Sequence, residues 1–110
     1  MKSKLLLICL FTLILFLFGC ISLNPAKDNS NEIALQKCQA LCNTQKMKQV
    51  DFSSGPCLSN AIIDDWVCDL AHSPRKEIDN QVENQCSNYV EGHSAHFVEL
   101  DAECNLIKSN

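Results

Sequence analysis

At 110 residues the chain has room for one domain, and its nine lysines and arginines against thirteen aspartates and glutamates give a formal charge of −4. That acidity argues against nucleic acid as a partner, because phosphates would be repelled and no basic stripe or aromatic platform offsets the repulsion.

The chain opens with Met1, Lys2, Ser3 and Lys4 and then runs from Leu5 to Phe18 without a charge. A positive start followed by an apolar run reads as a signal peptide or membrane anchor over residues 1–19, since a buried helix of a soluble protein would alternate faces with the 3.6-residue period. At the end of the run, Leu17, Phe18, Gly19 and Cys20 resemble the lipobox of prokaryotic lipoproteins. The resemblance implies that the Cys20 thiol receives a diacylglycerol and becomes the mature N-terminus; Phe18 stands where that family carries a small or aliphatic residue. Two acyl chains, at about 0.8 kcal/mol per buried methylene, anchor a protein stably where one chain is marginal. The alternative is an uncleaved anchor helix from Leu5 to Leu23, close to the roughly 20 residues that span the hydrocarbon. Lys2 and Lys4 precede the run, so either version makes membrane lipid a partner and leaves the remainder on the extracytoplasmic side of the cell membrane. Without those two lysines, seven basic side chains stand against thirteen acidic ones, a formal charge of −6.

Residues 20–31 would hold the cysteine whose lipidation the resemblance implies and a flexible tether in which Pro25 and Ala26 precede Lys27, Asp28, Asn29, Ser30 and Asn31 without periodicity. The folded domain is expected over residues 32–110. Ser30 or Asn31 can cap a helix, and Ala34, Leu35, Cys38, Leu41 and Cys42 then recur at three- and four-residue spacing, which predicts a helix ending near Lys48. Asp51, Ser53, Ser54, Gly55 and Pro56 read as a loop into Cys57. Trp66, Cys68 and Leu70 alternate onto one face of a strand from about Asp65 to Leu70, and the paired Asp64 and Asp65 suit a turn better than acid-base chemistry. Residues 71–93 are mostly polar, with Val82, Cys86, Tyr89 and Val90 able to form a short helical face ended by Gly92. A hairpin closes the chain: a strand from His96 to Leu100, a turn at Asp101 to Glu103 and a returning strand from Asn105 to Lys108. The expected class is α+β, one helix packed on a roughly three-stranded antiparallel sheet, with Phe97 or Val98, Trp66, Leu41 and Leu106 at the apolar centre.

Cys9 lies in the leader and Cys20 at its end, so Cys38, Cys42, Cys57, Cys68, Cys86 and Cys104 remain for the domain. An even number of cysteines in a small exported domain predicts three disulfides, because so small a core is only marginally stable unaided. Six cysteines allow 15 pairings. Cys38 and Cys42 share a helix face with side chains running parallel, so each should reach a different partner. The pairing expected is Cys42 with Cys57, Cys68 with Cys86, and Cys38 with Cys104.

The runs Gly55-Pro56-Cys57-Leu58-Ser59, Trp66-Val67-Cys68-Asp69, Ala71-His72-Ser73-Pro74-Arg75 and His96-Phe97-Val98-Glu99 resemble small cysteine-rich archaeal proteins of unknown function. The resemblance implies kinship and no activity.

Two sets of residues could carry function. His72, His93 and His96, with Asp69 and Glu99 near two of them in sequence, could hold zinc or copper, against the simpler reading of histidines on a solvated surface. Arg75, Asp79 and Glu83 could form a recognition face for a cell-surface protein or a small solute. An enzyme is not expected: no Gly-x-Ser-x-Gly elbow or phosphate-cradling glycine loop is present, and oxidised cysteines offer no nucleophile. No Cys-x-x-Cys pair or cofactor motif appears, so the leading expectation is a membrane-anchored binding or structural module without a cofactor.

Overall fold

The computed structural model describes residues 25–110. The leader, Cys20 and the first part of the tether, with the lipidation or anchoring expected of them, lie outside the described residues. Among the described residues no helix is long and apolar enough to cross a membrane.

Helix α1 (Ser30–Met47) forms where the apolar spacing predicts it and buries Ala34, Cys38 and Cys42. Ser30 is its first residue rather than its cap; the Asp28 carboxylate accepts the Ser30 backbone N–H at 2.9 Å, placing an anion at the positive end of the helix. Lys46 stands in the last turn, and Gln49, at φ 59°, turns the chain out of the helix.

Four strands, not three, make the sheet: β1 (Cys57–Ile63), β2 (Trp66–Leu70), β3 (His96–Leu100) and β4 (Leu106–Ser109), in the order β1-β2-β3-β4. The class is α+β as expected, but the sheet is mixed. β1 and β2 are antiparallel, β2 and β3 run parallel, and β3 and β4 are antiparallel. Asp64 and Asp65 make the β1–β2 turn, with Asp65 at φ 66° and its Oδ1 accepting the Ala95 N–H at 2.8 Å. Between β3 and β4, Asp101 Oδ1 accepts the backbone N–H groups of Glu103 and Asn105, each at 2.9 Å.

Parallel neighbours need a long crossover, and residues 71–95 supply it. This segment holds two 3₁₀ turns, Glu77–Asn80 and Val82–Asn84, and a short helix α2 (Ser87–Val90). The short helical face expected over Val82, Cys86, Tyr89 and Val90 breaks at Gln85 and Cys86, which are extended. Gly92, at φ 78°, follows the end of α2. The crossover lies on the face of the sheet away from α1, giving three layers.

The core sits between α1 and the sheet. Ala34, Cys38 and Cys42 meet Trp66, Cys68 and Leu70 of β2, Val98 and Leu100 of β3, and Cys104, with Leu35, Phe52, Leu58, Ile62 and Ile63 packed around them. Of the expected centre, Trp66 and Val98 are there. Leu41 is only partly buried, Leu106 is 44% exposed on the edge strand, and Phe97 points to the other face because it alternates with Val98.

All six downstream cysteines are paired, but none of the three expected pairs forms. The bridges are Cys38–Cys68, Cys42–Cys104 and Cys57–Cys86. Cys38 and Cys42 do reach different partners. Cys68 alternates onto the α1 side with Trp66 and Leu70, so it meets Cys38 and cannot reach Cys86 on the crossover. Cys57 opens β1 and bonds Cys86, pinning the crossover to the sheet. Two bridges therefore lock the core, and the third holds the opposite layer.

Candidate functional site

The side chains of β2 and β3 that turn away from α1 are Val67 and Asp69, and Phe97 and Glu99. In the parallel ladder Val67 stands beside Phe97 and Asp69 beside Glu99, so an apolar pair and a carboxylate pair share one face. The crossover closes over part of this face with Arg75, Gln85, Cys86 and Tyr89, leaving a half-open cleft of about 110 Å³. Tyr89 meets Phe97 edge-to-face, with ring centres 5.1 Å apart, the arrangement that aromatic quadrupoles favour.

The crossover holds its shape through buried polar contacts, not an apolar core. Asp79 is 3% exposed, and its carboxylate accepts the backbone N–H groups of His72 at 3.0 Å and Lys76 at 2.8 Å, with the His72 ring Nδ1 at 2.8 Å. Burial alone would raise its carboxyl, but these hydrogen bonds outweigh burial and hold it below the ordinary carboxylate range. Gly55 makes this possible: it sits at φ +64°, and a Cβ there would press on Asp79 Oδ1 and stand 3.2 Å from the Leu70 carbonyl oxygen.

Arg75 spans from the crossover to β3. Its Nε donates to Asn80 Oδ1 at 2.7 Å, one terminal nitrogen to Glu99 Oε2 at 2.9 Å and the other to the Asp79 carbonyl at 3.0 Å. Glu99 thus has a fixed counter-charge and Asp69 does not. Asp69 Oδ1 accepts the Leu70 N–H at 2.9 Å, and among the described residues its second oxygen has no hydrogen-bond partner. Burial pushes the Asp69 carboxyl up to about 7; the Leu70 bond and the Arg75 charge pull it down, while Glu99 and Asp79 add repulsion.

The expected site residues therefore separate. Of Arg75, Asp79 and Glu83, only Arg75 reaches the cleft; Asp79 is buried within the crossover and Glu83 is exposed elsewhere on it. The three histidines each stand beside a different carboxylate: His72 beside Asp79, His93 Nε2 3.4 Å from Glu91, and His96 Nε2 3.6 Å from Asp65. His96 also stacks on Trp66 with ring centres 4.7 Å apart. Among the described residues no group of three or more His, Cys, Asp or Glu side chains could hold a metal ion, so a shared site at His72, His93 and His96 does not form.

Asp69 and Glu99, separated by thirty positions of sequence, do meet. Reasoning from the sequence missed Val67, Phe97, Gln85 and Tyr89 as cleft walls. The signal available was the second face of the two strands, where one apolar residue and one acid alternate with core residues in each.

No family model, no curated protein and no solved structure matches the chain.

Proposed function

We propose that this chain is a non-catalytic binding module, held at the cell membrane by its N-terminus and displayed on the extracytoplasmic side, whose cleft takes a small solute or a side chain of a cell-surface protein. The observation that carries the reading is the pairing of all six domain cysteines in three bridges. Cytoplasmic thiol pools keep such cysteines reduced, so the bridges suit an exported domain, in line with the leader and the lipobox-like Cys20. Oxidation also leaves the domain without a thiolate nucleophile. Its most perturbed acid, Asp69, sits in a cleft with an apolar wall and with no serine, threonine or thiolate lining it. A constellation of that kind selects a ligand by charge and shape.

The address is tested on the full chain in intact cells. A membrane-impermeant protease should remove the domain without lysis, and a maleimide should label none of the six cysteines until reductant is added. Intact mass before and after reduction should show three bridges, and a diacylglycerol on Cys20 if the leader is processed. Free domain thiols in freshly isolated protein, or a domain that resists the protease until the cells are opened, would overturn the reading.

A further inference from the structure

We propose that the cleft between the sheet and the crossover binds a primary alkylammonium group, its charge set against Asp69 and its short apolar stem lying between Val67, Phe97 and Tyr89. The inference rests on the binding-module reading above and names its ligand class.

Charge, shape and size each narrow the choice. The cleft holds two carboxylates and one guanidinium, and Arg75 has committed a donor on each of its three nitrogens to Asn80, Glu99 and Asp79. An anion would be repelled by Asp69 and Glu99, and three of the five N–H groups of that cation are already committed. A wholly apolar ligand would bury the unpartnered Asp69 oxygen further and add to its desolvation cost. A divalent metal would need more oxygen ligands than the cleft converges, and among the described residues no such group exists. What remains is an organic cation. A planar guanidinium is best held by both oxygens of one carboxylate in a fork, and neither Asp69 nor Glu99 has both free, which suits the point charge of an ammonium. An engineered cavity of about 150 Å³ holds benzene, so by the same measure this cleft takes roughly 4–5 heavy atoms, the size of a butylammonium ion or the end of a lysine side chain. The aromatic wall of Phe97 and Tyr89 adds to the attraction for a cation.

The site carries its own pH signature. With its carboxyl raised to about 7, Asp69 is mostly neutral at pH 6 and mostly charged at pH 8. An alkylamine stays protonated until the pH nears about 10. The charged groups facing Asp69 are Glu99 on β3, with Lys108 across from it on β4, and Arg75 and Asp79 on the crossover; β1 and α2 contribute none. Ammonium affinity should therefore rise about tenfold from pH 6 to pH 8 and then level off, because binding must first release the Asp69 proton below its pKa.

The test uses the full chain in detergent micelles, followed by backbone amide chemical shifts as n-butylammonium is added. Saturable shifts at Val67, Gln85 and Phe97 are expected, with a Kd on the order of 1 mM for so few atoms. Affinity should be about tenfold higher at pH 8 than at pH 6, as the linkage requires. In Asp69→Asn the affinity at pH 8 should drop by about that factor and its pH dependence should vanish. Asp69→Asn removes a strained charge and keeps the shape, so it should fold with its three bridges intact. Tyr89→Ala, on the rim, should weaken binding at both pH values and leave the pH dependence in place. A blocked Gly-Lys-Gly peptide identifies the source: tighter binding of the peptide points to a partner's lysine side chain, tighter binding of butylammonium to a free amine, and either supports the proposal. Equal shifts from n-butanol or butyrate, or an Asp69→Asn protein with unchanged affinity, overturn the ammonium assignment and leave a binding cleft of another class. No shifts from any of the probes overturn the cleft as a site, while the address still stands or falls on the protease and maleimide results.

Discussion

On the α1 side of the sheet, Cys38, Cys42, Trp66, Cys68, Leu70, Val98, Leu100 and Cys104 close against one another and two disulfides cross the layer. On the other side, Val67, Asp69, Phe97 and Glu99 are roofed by short turns held through Asp79, Arg75 and a single bridge. Both faces come from the same alternating residues of β2 and β3. The closed face is specified by apolar burial, which tolerates no gap, and the open face by directional hydrogen bonds, which can hold a roof in place while leaving room beneath it.

Removing one bridge from each face should separate the two most clearly. Cys38–Cys68 and Cys57–Cys86 span 30 and 29 residues, so the loop-entropy contribution is nearly the same, about 3.5 kcal/mol each in the chain-entropy model. Cys38 and Cys68 are fully buried, as is Cys86, whereas Cys57 is only partly so. The Cys38→Ala/Cys68→Ala protein should therefore lose a further 1 kcal/mol or so through the cavity left behind, a melting temperature about 5 °C below that of Cys57→Ala/Cys86→Ala. Thermal unfolding of the two side by side decides it. Equal melting temperatures, or the reverse order, would show that the α1 face owes no more to packing than the crossover does.

The crossover's dependence on one buried acid can be probed through two glycines. Gly55 and Gly92 both have positive φ, so alanine at either costs about 1 kcal/mol from the backbone alone. A Cβ at Gly92 meets nothing within 4 Å, while one at Gly55 displaces Asp79 from its three hydrogen bonds. Gly55→Ala should thus destabilise by about 2–3 kcal/mol and Gly92→Ala by about 1 kcal/mol, measured by denaturant unfolding at constant slope. If the two cost the same, Asp79 is not what holds the crossover down.

How much of this could be read in advance follows the same division between faces. The helix, the inward stripe of Ala34, Cys38 and Cys42, and the alternation of Trp66, Cys68 and Leu70 were legible, because burial writes a period into the sequence. Those readings together already turned Cys68 toward α1, which conflicts with joining it to Cys86. β1 was hidden by its register shifts and irregular burial, which erase the two-residue period. The parallel pairing of β2 and β3 left no trace either, since alternation is the same whichever way a neighbour runs. The cleft depended on that pairing: only the parallel register sets Asp69 against Glu99. Arg75 was conspicuous as a cation, but its three partners lie at Asn80, Asp79 and Glu99, and no spacing rule links them.

A change at Asp69 reaches furthest into function, because it asks whether the open face is kept at the expense of stability. Asp69 has its folded-state carboxyl raised to about 7 from an ordinary value of 3.8. Between those values the folded chain binds a proton that the unfolded chain has lost. Its contribution therefore favours folding at low pH and is lost as the pH rises through 7. Asp69→Asn removes that dependence, so it should be more stable than the parent at pH 8, by about 1–3 kcal/mol given the partial exposure of the group, and the gap should close as the pH falls toward 4. Asp79, whose carboxyl is lowered, acts in a separate window: its stabilisation is present above 3.8 and is lost only as the pH drops further, so the two acids do not mask each other. Unfolding curves of both proteins at pH 5 and pH 8 test this. An Asp69→Asn protein no more stable than the parent at pH 8 would mean that the carboxylate is already satisfied in the empty cleft, and the case for a cationic ligand would lose its physical ground.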